Sequence, residues 1–98
     1  MATVQWFRFD FLDNAGFAPG QTRTWRHGET GSFYFGKAIA VTAQPFDASN
    51  QHRALVVTEV RHGSLGAGPG QRYLEYTIRN VGVDTVIIYY VFWGVIAE

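Results

Sequence analysis

Apolar and polar residues alternate with a period of two along much of this chain. In segment 72–80, Leu74, Tyr76 and Ile78 alternate with polar and amphipathic side chains. Segment 3–12 repeats this pattern, with phenylalanines at its odd positions 7, 9 and 11. Such alternation is typical of strands that bury one face and expose the other, and no stretch sustains the 3.6-residue period of a helix. We therefore expect an all-β protein.

Clusters of Gly, Pro, Asn and Asp divide the chain into about six strands. The predicted strands cover 3–12, 21–26, 32–43, 53–62, 72–80 and 86–97. Within the third, Gly36 is expected to form a bulge or bend. Short strands with frequent turns are typical of a sandwich or a small barrel. We predict a single domain over residues 1–98, a small antiparallel β-sandwich.

Antiparallel succession would sort the loops between two ends of the domain. The first end would collect the loops at 13–20, 44–52 and 80–84, and the second those at 27–31 and 63–71. This sorting holds whichever sheet each strand joins, because hairpins and arches both reverse the chain.

The last predicted strand is apolar on both faces. The run from Val86 to Ala97 has no charge, amide or proline, and it is too short for a transmembrane helix of about 20 residues. Gly94 is expected to break or bend a strand that would otherwise span roughly 40 Å at about 3.3 Å per residue. Because exposed apolar strands aggregate, we predict a homo-oligomer. Its interface would use Ile87, Tyr89, Val91 and Trp93 or their even-numbered neighbours; the alternative is a monomer whose loops cover that face.

Composition narrows the function classes. Eight basic residues balance eight acidic ones in 98 residues, so no strong field would recruit nucleic acid or anionic lipid. The absence of cysteine excludes disulfides and thiolate chemistry. The first residues lack the pattern of a Sec signal, so a cytoplasmic location or export by another route is expected. Neither nucleic-acid binding nor membrane insertion is predicted.

The second end gathers the best candidates for ligand contacts. An aromatic ring that can stack, imidazoles and guanidinium donors suit a polar ligand. These residues are Trp25, Arg26, His27, His62 and Tyr73. Alternatively, Trp25 belongs to the core and the others form a solvated rim. Two histidines without a third ligand are weak grounds for a metal, and none is predicted.

The first end offers a second, polar cluster. Carboxylates and amides at Asp13, Asp47, Asn50 and Asp84 could hold a sugar or a cation. The same residue types also cap their own backbone in turns. No calcium-loop pattern occurs, and the sequence leaves open whether these loops form a second site.

Catalytic motifs are missing. The chain has no Gly-x-Ser-x-Gly, no phosphate loop with its lysine and no His-Glu-x-x-His. Glu59 and Glu75 could fall opposite one another as a paired acid and base, but nearby arginines would neutralise them. We expect no enzyme and no cofactor.

Two segments resemble known families. The stretch "YTIRNVGVDTV" resembles sandwich modules of the CARDB class in bacterial surface proteins, which implies an accessory adhesion domain. The closing "YYVFWGVIA" resembles the last strand of H-type lectins, in which a Trp, an aliphatic residue and an Ala end the domain. That resemblance implies a six-stranded sandwich that trimerises and binds N-acetylgalactosamine-type sugars.

These observations favour a non-catalytic, lectin-like module that binds a glycan and assembles through its C-terminal strand. Multivalency would then make weak single sites useful. The alternative is a structural or protein-interaction module that self-assembles without a small ligand.

Overall fold

The computed structural model describes residues 3–28, 37–46, 52–66 and 72–97. Six strands follow one another in these ranges: β1 (Thr3–Phe17), β2 (Thr22–Gly28), β3 (Ala38–Pro45), β4 (Leu55–Ser64), β5 (Arg72–Asn80) and β6 (Val86–Ala97). They form two three-stranded sheets, sheet A in the order β1-β6-β3 and sheet B in the order β2-β5-β4. Every pairing is antiparallel. The predicted all-β fold of six strands is confirmed.

The hydrophobic core lies between the two sheets. The central strands contribute most of its fully buried residues, among them Leu74, Tyr76 and Ile78 from β5. Phe7, Phe9 and Phe11 of β1 pack against this core, as their odd positions predicted. Antiparallel partners share a face, so each inward residue of an outer strand meets an inward residue of the central strand.

The first end of the sandwich forms as predicted. Backbone hydrogen bonds join Gly20 to Asn80, Val81 to Ala54 and Val83 to His52. Three loops that are distant in sequence therefore meet at one end. The expected bend at Gly36 lies outside the described residues, and β3 begins only at Ala38.

The odd positions of β6 from residue 89 to residue 95 belong to the core, so part of the predicted interface is wrong. Tyr89 and Val91 are fully buried and Trp93 is 2% exposed. Each pairs with an inward residue of β1, Val91 with Phe9 for example, and this pairing turns the odd face of β6 towards sheet B. Ile87 is 42% exposed and stays a predicted interface residue. The even-numbered neighbours face outward from residue 88 onwards.

Gly94 does not break β6. The strand is paired continuously across it, with Trp6 on one side and Ala40 on the other. The domain measures 44 × 33 × 18 Å, so its long dimension accommodates an unbroken strand of this length. Gly94 instead makes room for a side chain, because an added Cβ would lie 2.7 Å from the Trp6 ring.

Candidate functional site

The outward face of sheet B carries a cluster of charged and aromatic side chains. Alternation along β5 directs Tyr73, Glu75, Thr77 and Arg79 away from the core. In the register of the sheet, Glu75 lies between Arg26 of β2 and Arg61 of β4. We call Arg26, Arg61, Tyr73 and Glu75 the arginine cluster.

Glu75 is the centre of this cluster. Its side chain is only 8% exposed although it points outward, because the two arginines cover it. Arg26 donates from Nε to Oε2 at 2.9 Å, and its Nη2 lies 2.7 Å from the same oxygen. Arg61 Nε lies 3.0 Å from the other oxygen, Oε1. Both carboxylate oxygens are thus bound by guanidinium groups, which fixes the position of the two arginines.

Tyr73 positions the third side of the cluster. The guanidinium carbon of Arg26 lies 4.1 Å from the centroid of the Tyr73 ring, a cation–π contact. The phenol of Tyr73 extends over Gly63 on β4, where an added Cβ would collide with the ring. A glycine on the neighbouring strand therefore allows the ring to lie across the sheet, and the ring supports Arg26.

The cluster retains free hydrogen-bonding capacity. A guanidinium group has five N–H donors, and Glu75 engages only part of those on Arg26 and Arg61. The side chains of Arg26 and Arg61 are about half exposed. The cluster therefore presents fixed donors to the solvent beside a half-buried aromatic ring.

The five predicted ligand contacts do not form one site. Arg26 and Tyr73 meet in the arginine cluster, whereas Trp25 and His27 alternate with Arg26 and point to the opposite side of sheet B. Trp25 donates from Nε1 to Tyr89 Oη at 2.9 Å and packs on Phe11. The alternative interpretation of Trp25 as a core residue fits this placement.

The two histidines are also apart. His27 lies on β2, its ring stacked on Tyr76 and edge-on to Trp93, and burial lowers its pKa. His62 is exposed on β4, and both histidines pair with Leu74 from opposite sides of β5. The described residues contain no group of three side chains suited to a metal.

Glu59 and Glu75 are not opposed. In the register Glu59 pairs with Thr77, and Glu75 pairs with Arg61. Arg61 Nε lies 3.1 Å from Glu59 and 3.0 Å from Glu75. Arg61 therefore bridges the two carboxylates, which do not face one another across the strands.

At the first end, the described polar residues hold the backbone of the turns. Asp84 accepts a hydrogen bond from the His52 amide at 2.7 Å, and the Asn80 amide group binds Phe17 O and Asp84 O. The contacts of Asp84 and Asn80 fit the interpretation as turn chemistry. Asp13 instead lies within β1 and forms an ion pair with Arg23 of β2 at 2.7 Å. Asp47 and Asn50 lie outside the described residues.

The sequence predicts that nearby arginines neutralise Glu75, but it does not predict that Arg26 and Arg61 meet on that carboxylate. Their alternation was visible, but their meeting depends on the register of three strands.

The described part of the chain contains no helix that could cross a membrane. No family model, curated protein or solved structure matches the chain significantly.

Proposed function

We propose that this protein is a non-catalytic, lectin-like module that binds hydroxyl-rich ligands, glycans above all, on the outward face of sheet B. The observation that supports this function best is the arginine cluster, in which Glu75 holds Arg26 and Arg61 in fixed positions beside Tyr73. Binding groups that are already fixed lose little conformational entropy when a ligand arrives.

The chemistry of the cluster favours a neutral polar ligand. The positive charges of Arg26 and Arg61 are balanced by the negative charges of Glu59 and Glu75, which form ion pairs with them. Guanidinium N–H groups donate to hydroxyl oxygens, and carboxylates accept from hydroxyl groups. The Tyr73 ring adds apolar surface, which can contact the apolar face of a pyranose. Glycans combine both kinds of surface.

The proposal predicts that binding depends on Arg26. The wild-type protein, applied in multivalent form to an array of immobilised glycans, should give specific signals. For the best glycan, Arg26→Ala should weaken binding in calorimetry at least tenfold, about 1.4 kcal/mol, because it removes donors and exposes one oxygen of Glu75. Tyr73→Ala should act in the same direction.

Arg79→Ala is the matched control. Arg79 is an exposed arginine on the same face of sheet B, on β5, but it lies outside the cluster, so its removal should change affinity less than twofold. Failure of every glycan to bind at high valency would refute the proposal, as would equal binding by wild type, Arg26→Ala and Tyr73→Ala.

The second candidate function is self-assembly without a small ligand. It is favoured by the apolar outward face of sheet A, where Trp6 is 58% and Leu12 62% exposed. A silent glycan array combined with stable self-association would support this candidate.

A further inference from the structure

The outward face of sheet A is apolar over most of its area. It is formed by even-numbered positions of β1, β6 and β3, together with Phe46 just after β3. Trp6, Leu12, Phe46 and Ile88 on it are between 39% and 62% exposed. Outward faces of sandwiches are usually polar, and the outward face of sheet B follows that rule. We call this apolar surface the outer A face.

Glycine gives the outer A face a flat, fixed end. The ring of Trp6 lies against the backbone of β6 at Gly94, where an added Cβ would come within 2.7 to 3.1 Å of three of its ring atoms. Ala40 of β3 continues this level of the sheet on the other side of Gly94. At the level of Trp6, the face is therefore a broad indole with small neighbours on β6 and β3.

The other end of the face carries projecting aliphatic and aromatic groups. Leu12 pairs with Ile88, and the Phe46 amide donates to Ile88 O at 3.0 Å, so these three residues lie at one level. All three are exposed. The face is thus flat at the level of Trp6 and projecting at the level of Leu12, and it changes at the midpoint between these two levels.

Opposite charges stand at the midpoint. Arg8 and Asp10 point outward from β1 at neighbouring outward positions, 3.2 Å apart, and both are more than half exposed. Arg8 also lies over the Tyr90 ring at 5.0 Å. A two-fold axis could lie in the plane of the interface, perpendicular to the strands, and pass between Arg8 and Asp10. It would bring Arg8 of each subunit opposite Asp10 of the partner subunit.

The same axis matches the two ends of the face. It brings Trp6 and Gly94 opposite the partner's Leu12 and the partner's Ile88, so that the flat end receives the projecting end. Interfaces with two-fold symmetry are self-complementary in this way. Both charge and shape therefore point to one occupant, a second copy of this chain.

The size of the face suits a weak dimer. The paired stretches of the three strands are Thr3–Leu12 of β1, the 12 residues of β6 and the 8 residues of β3. At about 4.8 Å between strands and about 3.3 Å per residue, they cover roughly 500 Å² in projection. Two partners then bury about 1,000 Å², the lower limit for a specific interface. Self-association should therefore depend on protein concentration.

We propose that two copies of the chain pack their outer A faces together about a two-fold axis, with Arg8 of each subunit paired with Asp10 of the partner subunit. In analytical ultracentrifugation across a concentration series, the wild-type mass should rise from 11.0 kDa towards twice that value.

Charge reversal tests the pairing. R8D and D10R each place four like charges at the midpoint, so each variant alone should dissociate at least tenfold more readily. An equimolar mixture of R8D and D10R should recover the dimer, because opposite charges again face one another. R79D, a reversal on the opposite side of the molecule, should leave the mass unchanged. Circular dichroism of every variant checks that the fold is retained.

Four outcomes would overturn the proposal. They are a wild-type mass of 11.0 kDa at several hundred micromolar protein, a mass of three chains, self-association that R8D and D10R leave unchanged, and binding to phosphatidylcholine vesicles by a protein that does not self-associate.

Discussion

The imidazole of His27 lies among aromatic rings on the inward side of sheet B. It stacks on Tyr76 with ring centroids 5.4 Å apart and meets Trp93 edge-on at 4.7 Å. Its Nε2 atom lies 3.0 Å from Tyr76 Oη. Such surroundings disfavour the imidazolium, and burial lowers the pKa of His27 from its ordinary value of 6.5.

This lowered pKa predicts loss of stability in mild acid. Above pH 6.5 neither the folded nor the unfolded chain protonates His27. Below it the unfolded chain binds the proton first, so stability falls until the pH passes the lower pKa of the folded state. The loss should be small, because water still reaches part of the ring. Urea unfolding at pH 7.5 and pH 5.0 measures it.

His27→Gln provides the comparison, because glutamine keeps a hydrogen-bonding group and does not titrate. The exposed histidines at 52 and 62 are common to both proteins and cancel in the difference. The difference in the free energy of unfolding between wild type and His27→Gln should become smaller as the pH falls. A difference of constant size would show that His27 is not responsible.

At the scale of single residues, the alternation of side chains along a strand already places Arg26 on the opposite face from Trp25 and His27. In segment 22–28 Arg26 stands between Trp25 and His27, so a strand there must send it to the opposite face. Grouping residues by the loop end they adjoin ignored that rule. The contact between Arg26 and Glu75 depends on a pairing of β2 with β5, which no local pattern specifies.

Among the strands, β6 shows where pattern alone is insufficient. Its odd and even positions are almost equally apolar, so periodicity could predict a second covered face but could not say which face meets the core. Pairing with β1 decides it, because Phe9 already faces inward and lies beside Val91. β5, which has one polar face, and β1, whose positions 7, 9 and 11 are all phenylalanine, were oriented correctly from sequence.

The contact between Trp6 and Gly94 predicts coupling between two strands. Gly94→Ala adds a methyl group within about 3 Å of the indole, and it should destabilise the protein by about 1–3 kcal/mol as the ring is displaced. In a Trp6→Ala background the same change should be neutral or stabilising, because alanine orders the backbone better than glycine. Denaturant unfolding of all four proteins completes the cycle.

Additive costs in that cycle would contradict the contact. A measured coupling of at least about 1 kcal/mol would support it. The fluorescence difference between each protein and its Trp6→Ala counterpart gives an independent reading of Trp6, since Trp25 and Trp93 are common to both and displacement of the indole changes its exposure.

For the whole molecule, the two proposed surfaces lie on opposite sides of a sandwich that is 18 Å in its smallest dimension. A dimer joined through its outer A faces would direct its two arginine clusters away from each other. With sheets about 10 Å apart at the interface, the clusters would be separated by about 45 Å. Such a dimer suits bridging between two surfaces better than bivalent binding to one.

Bridging can be measured with beads that carry the best glycan from the array. Wild-type protein above its dimerisation concentration should aggregate the beads, and dynamic light scattering follows their size. R8D should still bind the beads but should not aggregate them, because its ligand site is intact and its dimer is lost. Arg26→Ala should fail in both respects. Aggregation by monomeric R8D, or beads that bind dimeric wild type yet stay dispersed, would show that the two surfaces do not work together in this way.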